Sequence, residues 1–460
     1  MNGKIQDNQT GDSNTLQVPL HRKIAENLTQ QVTQGELKPG QKLPSERRIA
    51  TQFNASRATV RTALQHLEQA GLITRRDRRS AIVAIRRDIT PYIRIACSQG
   101  KLLNLFRRLG DMQLLPPRSQ LQLLDLQQPG VINHLLAQPS SGADVLFCEL
   151  EYVECLRRQK EIFQGLPNYL STEAGIQERL RGMCIDEGKS LAIPLSISPL
   201  VLYYNRALLG ECQIQMPTKI WNWEQMLQSA IRLTGNGRYG FQFRPTFGHL
   251  SYLVTRRGGE MYNSKGIIAA KSSPSFLDTV RFVHDLLHKQ KVSPLLAKVE
   301  QINLFAQRRC GMALDGFEMY GAYRKELADD LGITTLPAQG HGGGITNGIV
   351  GLVLAGQDNI QPIEDLFRSL LNSKTQLVLG QMGGGLPVRS DLLEGRALEM
   401  IDIPREVSSL FLHEAQEFRC ANLPGEMEHK MAVENLFLEL WLGLDSLENI
   451  CRRMQELARE

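Results

Sequence analysis

Between Leu43 and Val83 the punctuation of the chain leaves room for few folds. Gly35, Pro39, Gly40 and Pro44 break the backbone into turns, and Ser45 then offers the hydroxyl that opens a helix. The spacing predicts a short helix from Ser45 to Phe53, with Ile49, Ala50 and Phe53 on its apolar face. Asn54-Ala55-Ser56 supplies a turn and a second cap residue. In the helix that follows, Val60, Leu64 and Leu67 form an inward stripe, which leaves Arg57, Thr59, Arg61 and Gln65 pointing outward. Gly71 ends this helix, and Leu72-Ile73-Thr74 and Ala81-Ile82-Val83 make two short strands around the basic loop Arg75–Arg79. Upstream, Leu20, Ile24, Leu28 and Val32 repeat every fourth residue and supply a supporting helix. The expected unit, residues 18–87, is an α+β winged helix-turn-helix with groove-facing side chains on its last helix.

Two stretches carry a family resemblance. PGQKLPSER (Pro39–Arg47) and SRATVR (Ser56–Arg61) resemble the signature and recognition helix of the GntR family of bacterial transcriptional regulators. The resemblance implies DNA contacts at Arg47, Ser56, Arg57, Thr59 and Arg61, where guanidinium forks read guanine edges or clamp phosphates and hydroxyls bind phosphate. The wing departs from the family pattern: it carries Arg75, Arg76, Arg78 and Arg79 in place of a glycine-rich tip. Arg78 and Arg79 are expected at the minor groove; the alternative is a merely solvated basic turn.

Charge follows the same division. Residues 18–87 hold 14 Lys+Arg against 5 Asp+Glu, a net of +9, whereas the whole chain is only +5. One basic module is therefore joined to a slightly acidic remainder, as expected when one end meets phosphate. The first 17 residues are polar with no apolar core, so they read as a disordered tail and not as a signal or transit peptide. A cytoplasmic location is expected. No apolar run approaches the roughly 20 residues of a membrane span. The eight cysteines contain no CxxC pair, so neither a zinc site nor a disulfide framework is indicated.

After Arg87 the chain is long enough for a two-lobed body with a sizeable core. The pattern alternates: strand Tyr92–Cys97, helix Leu102–Leu109, strand Leu121–Leu126, helix Val131–Ala137, strand Asp144–Cys148. That is an α/β arrangement with a parallel sheet. There follow KSLAIPLSISPLVLYYNRALL (Lys189–Leu209), PTKIWNWEQMLQSAIRLT (Pro217–Thr234), FAQRRCGMALDGFEMY (Phe305–Tyr320), GGGITNGIVGLVLA (Gly342–Ala355), GGGLPVRSD (Gly383–Asp391) and the closing helical stretch Leu438–Leu457. In this order they resemble the extracellular solute-binding proteins of ABC importers, in particular the sugar-binding group, although Leu314 stands where that group has a methionine. The resemblance implies a two-lobed, type II periplasmic-binding-protein-like fold for residues 88–460. Lobe 1 would comprise residues 88–197 and 337–460, lobe 2 residues 198–336, with hinges near Ser196–Leu200 and Leu336–Ala338.

In such a body the solute lies where strand C-terminal ends converge. The expected contacts are Ser98 and Gln99 after the first strand, Glu149 after the third, Ser196 at the crossover and Asn347 in the glycine-rich return. Arg244, Phe247, Phe317 and Glu318 would line the second lobe. Carboxylate, amide and guanidinium groups suit sugar hydroxyls and an aromatic ring suits a pyranose face, while the alternative for each polar residue is to cap the adjacent helix. Trp223 reads as core at a helix start, with Trp221 beside it; the two Gly-Gly-Gly runs lack the lysine of a P-loop; His284 and His288 share a helix face without a third ligand. No catalytic, cofactor or metal constellation is expected. The expectation is a ligand-responsive DNA-binding regulator: a homodimer on a palindromic double-stranded operator, with a small carbohydrate effector, no membrane association and no enzymatic activity. Two alternatives stand beside it. One is an aminotransferase-like body holding pyridoxal phosphate on Lys265 or Lys374, although neither precedes the pro-gly-x-arg segment such a lysine needs. The other is a constitutive DNA-binding protein whose body only dimerises.

Overall fold

The computed structural model describes residues 20–33, 37–38, 40–69, 72–77, 80–83, 93–126, 143–153, 162–166, 172, 174–186, 188–217, 221–244, 246–263, 267–295, 304–339, 346–357, 359–394, 399, 403–417 and 427–458. The chain divides into two compact units, Met1–Thr90 and Pro91–Glu460.

In the first unit α1 (Leu20–Thr33), α2 (Glu46–Gln52) and α3 (Arg57–Gln69) precede an antiparallel pair, β1 (Ile73–Asp77) and β2 (Ser80–Val83). Ser45 caps α2, its Oγ accepting from Arg48 N. Ser56 Oγ accepts from Thr59 N at 3.1 Å and so satisfies one of the orphan donors that open α3. Between the helices Asn54 takes φ 48°, the left-handed conformation that asparagine tolerates at a tight turn. Ile24, Leu28, Ile49, Val60, Leu64, Leu67, Ile73 and Val83 close one core. The expected stripe of α1 starts one turn late, because Leu20 is 43% exposed at the helix end. Gly71 and the wing arginines Arg78 and Arg79 lie outside the described residues.

The second unit begins with β3 (Ile93–Cys97), α4 (Gly100–Asp111), β4 (Ser119–Leu123) and β5 (Val145–Glu149). A small hairpin, β6 (Ile185–Asp186) and β7 (Lys189–Ser190), leads into β8 (Ala192–Asn205), a strand buried at every position. Then come α5 (Trp223–Leu233), β9 (Tyr239–Gln242), α6 (Phe247–Arg256), α7 (Pro274–His284), β10 (Cys310–Gly316), α8 (Tyr320–Leu327), β11 (Leu331–Thr334) and β12 (Thr346–Val353). The described chain ends in helices α9 (Gln361–Leu371), α10 (Ser373–Gln381), α11 (Arg405–Glu417), α12 (Met427–Leu442) and α13 (Leu447–Leu457).

Strand β8 organises the body because it serves two sheets in succession. Ala192–Pro199 pair with β12, and Leu200–Tyr204 pair with β10 while Leu202–Asn205 pair with β11. The change of partner falls between Pro199 and Leu200, inside the stretch expected to bend. The first lobe has the order β4-β3-β5-β12-β8 and the second β8-β10-β9 with β11 beside β8. Its sheet is mixed, which corrects the expectation of a parallel one: β3 runs parallel to β4 and β5, but β12 is antiparallel to both β5 and β8. A parallel neighbour needs a crossover connection, whereas β12 returns from the second lobe and enters the sheet against the direction of β8. The ladder slips where Ile349 faces Ser196 and Val350 faces Pro194, since proline has no N–H to donate.

Residue alternation sorts side chains to the two faces of the first lobe. Ile93, Ile95, Val145, Phe147 and Ile193 meet α4 and α9 on one side, with Phe106 stacked on Phe147 at 4.3 Å. Ala96, Leu146, Cys148, Val350 and Leu352 form a smaller core with Tyr152 on the other. In the second lobe Leu202, Tyr204, Met312 and Leu314 pack against α5, α6 and α7. Val433, Leu436, Leu440 and Trp441 of α12 and Ile450 and Met454 of α13 join that same core. The closing helices therefore belong to the second lobe, which corrects the expectation that residues 337–460 all return to the first. They pack on the helical layer of that lobe, α12 against α6 and α13 against α7. The expected helix at Val131–Ala137 lies outside the described residues.

Candidate functional site

On the first unit α3 presents Arg57, Arg61 and Gln65 to solvent, and Arg47 of α2 and the cap residue Ser56 are exposed beside it. Thr59 is half-buried, its hydroxyl 2.8 Å from that of Ser56. Arg61 Nε donates to Glu46 Oε2 at 3.0 Å, a link from the second helix of the motif to the third that sequence spacing did not suggest. The pair is largely exposed and adds little stability, but it restricts the guanidinium to one side of α3.

In the second unit the polar groups gather at strand C-terminal ends and at the partner change of β8. Just after β3, Ser98 is almost wholly buried and its Oγ donates to Glu149 Oε2, at the end of β5, at 2.8 Å. Gln99 stands at the N-cap of α4 without a side-chain cap bond. Ser196 Oγ donates to Gly384 O at 2.6 Å, and Ser198 Oγ donates to Glu318 Oε2. Past β9, Arg244 turns its Nη2 to Asp315 Oδ1 and, at 3.3 Å, to Glu318 Oε1. Tyr323 OH donates to the other Asp315 oxygen at 2.5 Å, and Tyr203 OH donates to Gly316 O at 2.9 Å.

Glycine is required inside this cluster. A Cβ on Gly316 would sit 2.1 Å from Glu318 Oε2 and 2.6 Å from Ser198 Oγ, so any side chain there would expel the carboxylate. Gly385 has φ +116°, a backbone conformation that few other residues adopt, and a Cβ there would sit 2.8 Å from Ser196 Oγ.

The two carboxylates differ in electrostatic surroundings. Burial raises the pKa of Glu318, but the charges of Lys101 and Arg244 and the Ser198 hydrogen bond outweigh it and hold the carboxyl down to about 2. At Asp315 burial outweighs Arg244 and Tyr323, and the pKa is raised. Lys101, at the start of α4 in the first lobe, acts on Glu318 of the second, whereas the charge of Glu318 adds to burial in raising Asp315. Arg244 Nε is buried without a hydrogen-bond partner among the described residues, so the guanidinium is only partly satisfied by the two acids.

The expected contacts thus fall into groups. Ser98 is paired with Glu149 and Arg244 with Glu318, while Ser196 holds the Gly384 loop. Asn347 lies opposite Ser198 in the β12–β8 register. Phe247 and Phe317 are buried, Phe317 meeting Phe411 edge-on at 5.1 Å. Asp315, Ser198, Lys101 and Tyr323 were not anticipated. The only sequence cue to them is the Asp-Gly-Phe-Glu run, because the partners lie far away in the chain: Arg244 is separated from Asp315 by 71 residues.

Lys265 lies outside the described residues, and Lys374 is exposed on α10. Trp223 is core, edge-on to Phe282 at 5.5 Å. His288 Nε2 lies 2.8 Å from Leu440 O, and among the described residues no cluster of three metal-ligating side chains occurs. No helix of the described residues is long and apolar enough to cross a membrane.

Comparison with known proteins bears on each unit separately. Residues 20–83 match the family described as "Bacterial regulatory proteins, gntR family" and carry its helix-turn-helix domain. Over 55 residues the chain is 46% identical to the mannosyl-D-glycerate transport/metabolism system repressor MngR of Escherichia coli K12, which is 12% of this chain and 23% of that protein. Over 67 residues it is 45% identical to the HTH-type transcriptional repressor NagR of Bacillus subtilis 168, 15% of this chain and 28% of that one. The chain thus spans about a quarter of the length of these relatives. The body resembles an ABC transporter solute-binding protein from Thermotoga lettingae TMO, solved with bound alpha-D-tagatose, with a TM-score of 0.68. That likeness covers 80% of this chain and 98% of the other at 18% identity. It shows the two-lobed solute-binding fold, which excludes the aminotransferase-like body.

Proposed function

We propose that the chain is a ligand-responsive transcriptional regulator in which a cytoplasmic solute-binding body governs operator binding by the helix-turn-helix. The observation that carries this reading is the union, in one chain, of a gntR-type DNA-binding domain and a two-lobed body whose strand ends converge on a buried polar cluster. The effector is a neutral sugar or oligosaccharide. The carboxylates Glu149, Asp315 and Glu318 stand with the cations Arg244 and Lys101 and the hydroxyls of Ser98 and Ser198, so these groups offer directional donors and acceptors to sugar hydroxyls and no excess of positive charge that would select an anion. Ser98, Gln99, Glu149, Ser196, Arg244, Glu318 and Asn347 are the proposed contacts, and the chemistry is binding rather than catalysis.

The regulator acts as a homodimer, its two α3 helices entering major grooves of a palindromic operator one DNA turn apart or a multiple of it. Arg47, Ser56, Arg57, Thr59 and Arg61 contact that DNA, with Arg78 and Arg79 at the flanking minor groove. Arg57→Ala is expected to weaken operator binding by about 1–3 kcal/mol in a fluorescence anisotropy titration while leaving the melting of the second unit unchanged. Unaltered affinity would remove α3 from the interface.

Solute binding is tested by thermal shift of the full chain against monosaccharides, polyols and oligosaccharides. A true effector at a hundred times its dissociation constant adds about 2.7 kcal/mol, and a panel without any such shift overturns the sensor reading in favour of a body that only dimerises.

A further inference from the structure

A buried lysine joins the two lobes. Tyr152 closes the short turn Leu150–Tyr152 that follows β5 in the first lobe, and Phe247 opens α6 just past β9 in the second. Both rings therefore stand beyond strand C-terminal ends, on the rim that also carries Glu149 and Arg244. Lys430, near the start of α12, extends its ammonium to 4.8 Å from the Tyr152 ring centre and 5.3 Å from that of Phe247. Glu434, one turn further along α12, accepts from the same ammonium at 2.7 Å. Lys430 is 1% exposed, Tyr152 2% and Phe247 1%.

An ammonium removed from water is costly unless a carboxylate or a ring face replaces its hydration. Here Glu434 and Phe247 come from the second lobe, as does Lys430 itself, because α12 packs in that lobe through Val433, Leu436, Phe437 and Leu440. Tyr152 comes from the first. The surroundings that compensate the buried charge are complete only while the lobes are together.

We propose that Lys430 is an inter-lobe clasp: its ammonium, seated against Tyr152 and Phe247, holds the two rims together, and a solute that inserts a flat face between these rings has to displace it. The clasp sets the threshold for opening the cleft whatever the cleft binds, so it goes beyond the assignment of a sugar. Lys430→Met keeps the length and apolar stem of the side chain and removes only the charge.

The test is hydrogen exchange on the full chain without added solute, read at the rim segments 98–103 and 316–320 and, as an internal reference, along β8. In Lys430→Met the rim amides are expected to exchange about tenfold faster while β8 is unchanged, and Lys430→Arg, which retains a cation for the rings, is expected to behave as the parent protein. Rim exchange at the parent rate in Lys430→Met overturns the proposal. Equal acceleration in both variants also overturns it, because packing and not charge would then be responsible. Should Lys430→Met also lose protection in β8, Tyr152→Leu decides: acceleration confined to the rim supports the clasp, and parent-like rim exchange rejects it. None of these readouts requires an effector, so failure of the clasp and failure of the sensor reading remain distinguishable.

Discussion

Arg244→Met is expected to destabilise the second unit by about 3–5 kcal/mol at neutral pH, the cost of leaving buried carboxylates without their cation. Asp315 is buried, Glu318 is nearly so at 12% side-chain exposure, and the two share the Arg244 guanidinium. Losing it leaves Asp315 with Tyr323 and Glu318 with Ser198 and the more distant Lys101. The pH dependence has a definite sign. Glu318 is held below its ordinary value, so its charge contributes stability that is complete above the usual carboxylate range and is lost as pH falls toward about 2. Asp315 is raised, so it opposes folding as pH rises through its folded value. With Arg244 absent both carboxyls shift upward and take up protons more readily in the folded state. The deficit of the variant should therefore shrink as the pH of a urea titration is lowered from 7 toward 4. A deficit that stays constant would show that Arg244 acts through packing. The same substitution should abolish the thermal shift given by any effector found.

The second large effect concerns the junction between the lobes. Arg256 of α6 and Glu414 of α11 form an ion pair that is nearly inaccessible, at 3% and 2% exposure. It is tied to both chain crossings. Tyr252 OH lies 3.1 Å from Leu200 O and 3.3 Å from Glu414 Oε2, Arg256 Nη1 donates to Leu336 O at 3.4 Å, and Gln339 N donates to Arg256 O at 2.8 Å. Glu414→Leu is expected to cost about 3–5 kcal/mol, because the guanidinium remains buried without its partner. The pair is itself incompletely satisfied: Arg256 Nε and Glu414 Oε1 have no hydrogen-bond partner among the described residues. The double variant Arg256→Met/Glu414→Leu should therefore recover most of the loss in a denaturant titration, as replaced buried ion pairs do. Costs that simply add would contradict this account of the pair.

How far the sequence was legible differs between the units, and the reason is the range of the interactions involved. In the first unit the legible contacts are local: Ser45 and Ser56 cap the helices that immediately follow them, and Val60, Leu64 and Leu67 lie on one face by helical spacing alone. The Arg61–Glu46 link escaped notice because it joins two helices. In the second unit β8 could be found as an apolar run, but not its change of partner from β12 to β10, which depends on strands more than a hundred residues away. Arg244 and Glu318 were picked out by their positions after strands, whereas Asp315, fully enclosed between Arg244 and Tyr323, resembles any acid at a strand end. Lys430 gave no signal at all. A helical lysine reads as solvated, whereas here Glu434 and the rings of Tyr152 and Phe247, the rings far away in the chain, meet its ammonium.

The account rests on coupling between solute and operator, and a single titration tests it most directly. Full-length protein is titrated onto its operator, identified by selection from random duplexes, with and without a saturating effector from the thermal-shift panel. The two affinities are expected to differ about 5- to 150-fold, the usual range of an allosteric coupling free energy. Equal affinities at saturating effector would contradict the account, since the body would then bind its solute without informing the helix-turn-helix.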